Sequence, residues 1–201
     1  MKPKKILLVL ICLILNFSPG YLFSDTPHKT AEKVHENVIS FINDNEDLHK
    51  QDKESFIENI DSIMDPVVDF NRIARNVMGK YYKQANKSQR DKFFGVFRST
   101  LLKTYTDTFV EFKDEEIRVL PKKEDSKKPN RSKVKVEIIT DTKVYPATYD
   151  MYRNKEGEWK IINIVVNGVN LGLTFRNQFY SLSIKRNADI DLVIEEWVAA
   201  L

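Results

Sequence analysis

The chain has almost no cysteine. Its single one, Cys12, lies inside the first apolar run, so no disulfide framework is available and a folded domain must be held by its core alone. Histidine is nearly as scarce, with only His28, His35 and His49. No two of them stand at H-x3-5-H spacing and no H-E-x-x-H accompanies them, which argues against a metal site. The G-x-S-x-G nucleophile elbow and the G-x-x-x-x-G-K-[ST] phosphate loop are both missing. Glu115 and Glu116 are neighbours; on a strand they face opposite sides and cannot work as paired carboxylates. Glycine is thin too, at six residues, and there is no low-complexity linker or internal repeat, so the chain reads as one compact domain. These absences point away from a catalyst and away from any metal or cofactor.

A long hydrophobic run is lacking as well. Lys2, Lys4 and Lys5 give a positive start and Ile6 to Leu15 is apolar, but such a block is about half of the roughly twenty residues a bilayer-spanning helix needs. With small residues at Ser18, Gly20 and Ser24, the pattern reads as an export signal. The expected organisation is a signal peptide over 1–24 and a single exported domain over 25–201. The formal charge of +3, from 32 Lys+Arg against 29 Asp+Glu, is the three leader lysines, which leaves 29 of each sign in the remainder. A basic excess that belongs to a leader is no sign of a nucleic-acid partner.

What the chain does have is apolar and aromatic residues in order, with 12 Phe and 8 Tyr. Helical spacing predicts helices over Thr30–Ile42 and Lys53–Met64, then a third opening with Asp65 as cap and Pro66 at its first position. A long helix follows, capped by Ser88, whose Phe93, Phe94, Phe97, Leu101, Leu102, Tyr105 and Phe109 make an apolar face too wide for a surface helix. The period then switches to two. Strands are expected near Ile117–Leu120, around Val134, Val136 and Ile138, around Tyr145, Ala147, Tyr149 and Met151, and over Trp159–Val166. The last is apolar on both faces, so its outer side should also be covered. Two helices close the chain, Leu171–Ile184 and Asp189–Ala200. Helices first and an antiparallel meander later argue for an α+β domain. The basic loop from Lys122 to Lys135 lacks interleaved aromatics and reads as a hairpin tip. The set Lys80, Lys83, Lys87, Arg90 and Lys92 beside Tyr81 and Tyr82 reads as a solvated face, with contact to lipid headgroups or to a partner protein as the sharper alternatives.

The segment from Arg72 to Thr108 resembles the toluene-tolerance family of MlaC-type periplasmic phospholipid-binding proteins. The matching elements are a G-x-Y-Y before a helix, a Q-R-x-x-F-x-x-x-F-R run and a tyrosine near the helix end, here Gly79, Tyr81, Tyr82, Gln89, Arg90, Phe93, Phe97, Arg98 and Tyr105. A second match is G-V-[SN]-L with a later R-x-x-F, here Gly168, Val169, Asn170, Leu171, Arg176 and Phe179. Asn170 stands where many members have serine. The resemblance implies helices packed on a curved antiparallel sheet of about four strands, cone-like in the manner of nuclear-transport-factor domains, around an apolar pocket. It also implies a periplasmic carrier shuttling phospholipid between an outer-membrane lipoprotein complex and an inner-membrane ABC transporter complex, and so maintaining outer-membrane asymmetry. Transient contact to a membrane surface is a further expectation.

Such a role needs apolar walls rather than reactive groups. Two acyl chains carry about thirty methylenes, and exposing them to water costs on the order of 20–25 kcal/mol. The candidate wall residues are Val77 and Met78 of the third helix and Phe97, Leu101 and Tyr105 of the long one. From the strands come Val136, Ile138, Tyr149, Met151 and Val166, and from the turn and final helices Val169, Leu171 and Phe175. Part of this set is expected to be plain core. Alternatives are another apolar cargo such as a hopanoid or quinone, a structural adaptor, or an isomerase- or dehydratase-like enzyme using Tyr105. Asp107, the nearest acid to Tyr105 in sequence, points away from it on a helix.

Overall fold

The computed structural model describes residues 25–121 and 128–199; the expected signal peptide, with Cys12, and the middle of the polar loop lie outside them. The first helix, α1 (Pro27–Asp44), starts three residues before the expected position because Thr26 caps it, its hydroxyl accepting from the Lys29 amide at 3.2 Å, with Pro27 where no amide is needed. Its buried side is Ala31, Val34 and Ile42. A short helix, α2 (Glu46–Gln51), follows and then α3 (Lys53–Met64), capped by Asp52.

The third expected helix begins later than its sequence signals imply. Asp65 closes α3 rather than capping a new helix, and α4 runs Phe70–Met78 with Asp69 as cap, its carboxylate accepting from the Arg72 amide at 2.9 Å. The intervening backbone is used otherwise. The Asp69 amide donates to the Ile161 carbonyl and the Ile161 amide to the Val67 carbonyl, a parallel bridge that covers a sheet edge. Gly79, at φ 53° and ψ −121°, ends α4 in a conformation that favours glycine, and a 3-10 turn (Gly79–Lys83) leads into α5 (Lys87–Glu111). Ser88 does not cap α5. Asn86 does, in a reciprocal pair with Gln89 that satisfies two amides at once.

The sheet has five strands in sequential antiparallel order: β1 (Glu116–Val119), β2 (Arg131–Ile139), β3 (Val144–Arg153), β4 (Trp159–Val166) and the two-residue β5 (Val169–Asn170). Four were expected; β5 is too short to leave a periodic signal. Asn167 and Gly168, at φ 48° and 81°, make the tight turn between β4 and β5, as an Asn-Gly pair permits. The pairing of β3 with β4 shifts register at Asp150/Met151, where β4 carries Ile162 as an extra residue. The chain closes with α6 (Leu171–Lys185) and α7 (Ile190–Ala199). The result is α+β, with α1 on β1 and β2, and α4 and α6 on β4, while α5 lies against α3, α4 and α7. The free edge of β4 is covered at both ends, by Val67–Asp69 and by β5.

Candidate functional site

Two apolar clusters make the interior, and α5 contributes to both. The sheet cluster holds Val134, Val136, Ala147, Tyr149, Met151 and Ile161 with Leu102 of α5 and residues of α1 and α3. The helical cluster holds Val77 and Met78 of α4, Phe93 and Phe97 of α5, Phe175 and Phe179 of α6 and Trp197 of α7. Its rings meet edge-on around Trp197, at 5.5 Å from Phe93 and 6.2 Å from Phe175. Ile73 packs against both clusters. Half-buried apolar side chains pack against each cluster. Leu101, Tyr105 and Leu171 belong to the helical bank, and Phe109, Ile164 and Val166 to the sheet bank.

The thirteen expected wall residues divide accordingly. Val77, Met78, Phe97, Val136, Tyr149, Met151 and Phe175 are buried within one cluster or the other. Leu101, Tyr105, Ile138, Val166 and Leu171 are half-buried, and all of these except Ile138 pack against one cluster or the other. Val169 is apart from the rest, 54% exposed on β5. Two open hollows lie at the margins, and none of the thirteen lines either. One, of about 690 Å³ between α3 and α5, includes Ile57 and Leu102 in its lining; the other, of about 570 Å³, lies by Trp159, Val119 and Leu120 at the end of the sheet.

Sequence reasoning missed the polar pair inside the sheet cluster. The Tyr149 hydroxyl lies 2.9 Å from His35 Nε2 and the two rings stack at 5.7 Å. Burial pushes the His35 pKa down to about 4 and the Tyr149 hydroxyl up, so both are neutral at ordinary pH. The helical spacing of Ala31, Val34, Val38 and Ile42 would have shown His35 on the same face. Asp107 is engaged elsewhere, accepting from Lys53 at 2.7 Å and lying 3.0 Å from His49, and these partners hold its carboxyl below the usual range. Among the described residues no group of three or more His, Cys, Asp or Glu is placed to hold a metal.

Residues 32–199 match the family model described as MlaC protein. The chain belongs to the MlaC family. It is 30% identical over 190 residues to toluene tolerance protein ttg2D of Pseudomonas putida, covering 94% of this chain and 87% of that protein. It is 28% identical over 149 residues to the intermembrane phospholipid transport system binding protein MlaC of Haemophilus influenzae, covering 73% and 69% of the two chains. Its fold is similar to that of the phospholipid-binding protein from Ralstonia solanacearum, solved in complex with a phospholipid. The TM-score is 0.77 at 20% identity, over 85% of this chain and 94% of that one.

The residues that carry the MlaC resemblance have structural tasks here. Gly79 gives the φ that ends α4, and a Cβ on it would sit 3.1 Å from Nε of Arg176, so the two matched segments touch. Gln89 completes the α5 cap, and Arg90 Nε donates to the Tyr82 carbonyl at 2.9 Å. Arg98 clasps α3 through Asp61 and Asp65, each at 2.6 Å. Asn170 caps α6, its side chain accepting from the Leu173 amide at 3.0 Å, a task serine also performs.

Proposed function

We propose that this chain is a periplasmic phospholipid carrier of the MlaC type, holding acyl tails along the seam between its sheet and helical clusters. The observation that carries the reading is family membership over residues 32–199. The two-cluster interior supports it physically: half-buried apolar groups from α5, β4 and α6 pack on one cluster or the other, and among the described half-buried residues Ile73 alone packs against both. Tails that enter would part the clusters and replace side-chain contacts with chain contacts, which is a small change for apolar groups that already stand partly exposed. The headgroup remains wet. No helix among the described residues is long and apolar enough to cross a membrane. The cargo is passed between an outer-membrane lipoprotein complex and an inner-membrane ABC transporter complex.

Mass spectrometry of the purified chain before and after organic extraction tests this. Phospholipid in near-stoichiometric amount is the expected result. A chain that carries none, even after incubation with phospholipid vesicles, would overturn the carrier reading.

A further inference from the structure

Acidic residues are absent from two long stretches of the chain, 70–90 and 159–188, which hold ten lysines and arginines between them. In a domain whose charges otherwise balance, this is a strong segregation, and the fold brings the two stretches together. α4 and α6 pack on each other, Tyr81 lies 6.1 Å from both Phe179 and Tyr180, and Lys80 Nζ stands 4.7 Å from the Tyr180 ring. Arg75, Lys80, Lys83 and Arg176 make no ion pair among the described residues. Of the acids at the border, Asp91 is paired with Lys87 and Glu196 with Lys185 and Arg186, and Asp189 accepts from the first amides of α7.

α6 is also apolar on two sides. Phe175, Phe179 and Ser183 face the helical cluster. Leu173, Tyr180 and Ile184, at i, i+7 and i+11, fall on one line on the opposite side, 53%, 45% and 59% exposed. A soluble helix does not need that second stripe for its own packing. A tyrosine between two aliphatic residues, with the long-stemmed Lys80 over its ring and no acid in the segment, is the pattern of a helix that lies at a bilayer interface. A second copy of this chain is a poor occupant, since its own cations would be brought against these.

We propose that the α6 stripe, with the cations of α4 and the 3-10 turn, docks the protein on a bilayer surface rich in anionic phospholipid. The apolar side chains enter the headgroup layer while Arg75, Lys80 and Lys83 meet the phosphates. This goes beyond cargo binding and does not depend on it: a chain that extracts no lipid would still dock.

The test uses the purified chain carrying Tyr180→Trp, with vesicles of phosphatidylcholine alone or of phosphatidylcholine mixed with phosphatidylglycerol. Expected are a blue shift of the new tryptophan's emission and co-sedimentation with the mixed vesicles only, both reversed by high salt. Lys80→Glu with Lys83→Glu should lower partitioning about tenfold or more, and Leu173→Ser with Ile184→Ser should remove the emission shift. All substituted positions are on the surface, so unchanged circular dichroism verifies the fold. Absence of binding to the mixed vesicles would overturn the proposal and leave this face to an acidic protein partner. Binding that neither pair of substitutions weakens would overturn it equally.

Discussion

At the scale of single residues, Gly79 and His35 make backbone strain and buried polarity measurable. Gly79 sits at φ 53° with the Arg176 guanidinium 3.1 Å from where a Cβ would stand. Gly79→Ala should therefore destabilise the protein by about 1–3 kcal/mol, read as a lower urea midpoint. Removing the arginine as well should relieve the contact but not the backbone strain. His35 gives a pH dependence. An unfolded histidine binds its proton near pH 6.5, whereas folded His35 does so only near 4. Between these values the unfolded chain holds the additional proton, so stability falls as pH drops from about 6.5 and levels off below about 4, by about 3 kcal/mol in all. Urea midpoints for the wild type and His35→Gln between pH 7 and 4.5 measure this, and the variant should show the flatter profile. Neither position was fully legible in the sequence. Asn167-Gly168 announces its turn through two residues in a row that accept positive φ, but Gly79 depends on Arg176, nearly a hundred positions away. A histidine on an apolar stripe says nothing of Tyr149 across the sheet.

At the scale of elements, the sequence was clearest where a periodic pattern was long. α5 and the alternating β2 and β3 stand close to their expected places because many residues vote for the same period. The short pieces α2 and β5 could not be read that way, since six and two residues are too few to set a phase. The start of α4 was misplaced for a tertiary reason. Pro66 after Asp65 is a good local start, but the edge of β4 takes the backbone of Val67–Asp69 instead. The α3–α5 pairing, which no local pattern foretells, is fastened at two places. One is the half-buried fork of Arg98 on Asp61 and Asp65, with Phe70 4.9 Å beneath its guanidinium; the other is Asp107 with Lys53 and His49. Arg98→Ala leaves two carboxylates facing each other and strips the ring of its cover, so it should cost about 1–2 kcal/mol. Asp107 is exposed and screened, and Asp107→Asn should cost well under about 1 kcal/mol. Parallel urea titrations check the ranking, and equal losses would mean that the two fastenings are equivalent.

At the scale of the whole molecule, the question is what an interior made of two clusters, rather than one, is for. A single core packed to the density of a crystal would gain more contacts per side chain. Here α5 is shared, and Leu101, Tyr105, Val166 and Leu171 remain half-buried, each packed against one cluster and not the other. The composition announced the apolar material, and the resemblance announced its use. The division into banks lay beyond both, because it depends on which face of α5 each helix and strand occupies. If tails fill the seam, cargo and stability are linked, because a ligand that binds only the folded chain raises its melting temperature. At about a hundred times its dissociation constant the gain is about 2.7 kcal/mol, or about 5–10 °C for a chain of this size. Delipidated protein reloaded from phospholipid vesicles should therefore melt higher by that amount. Leu101→Asp and Val166→Asp, which each place a charge on one bank, should lose the increment while still melting cooperatively. An unchanged increment in both variants would move the site away from the seam. A wild type that melts at one temperature with and without phospholipid would leave the two-cluster interior without its cargo.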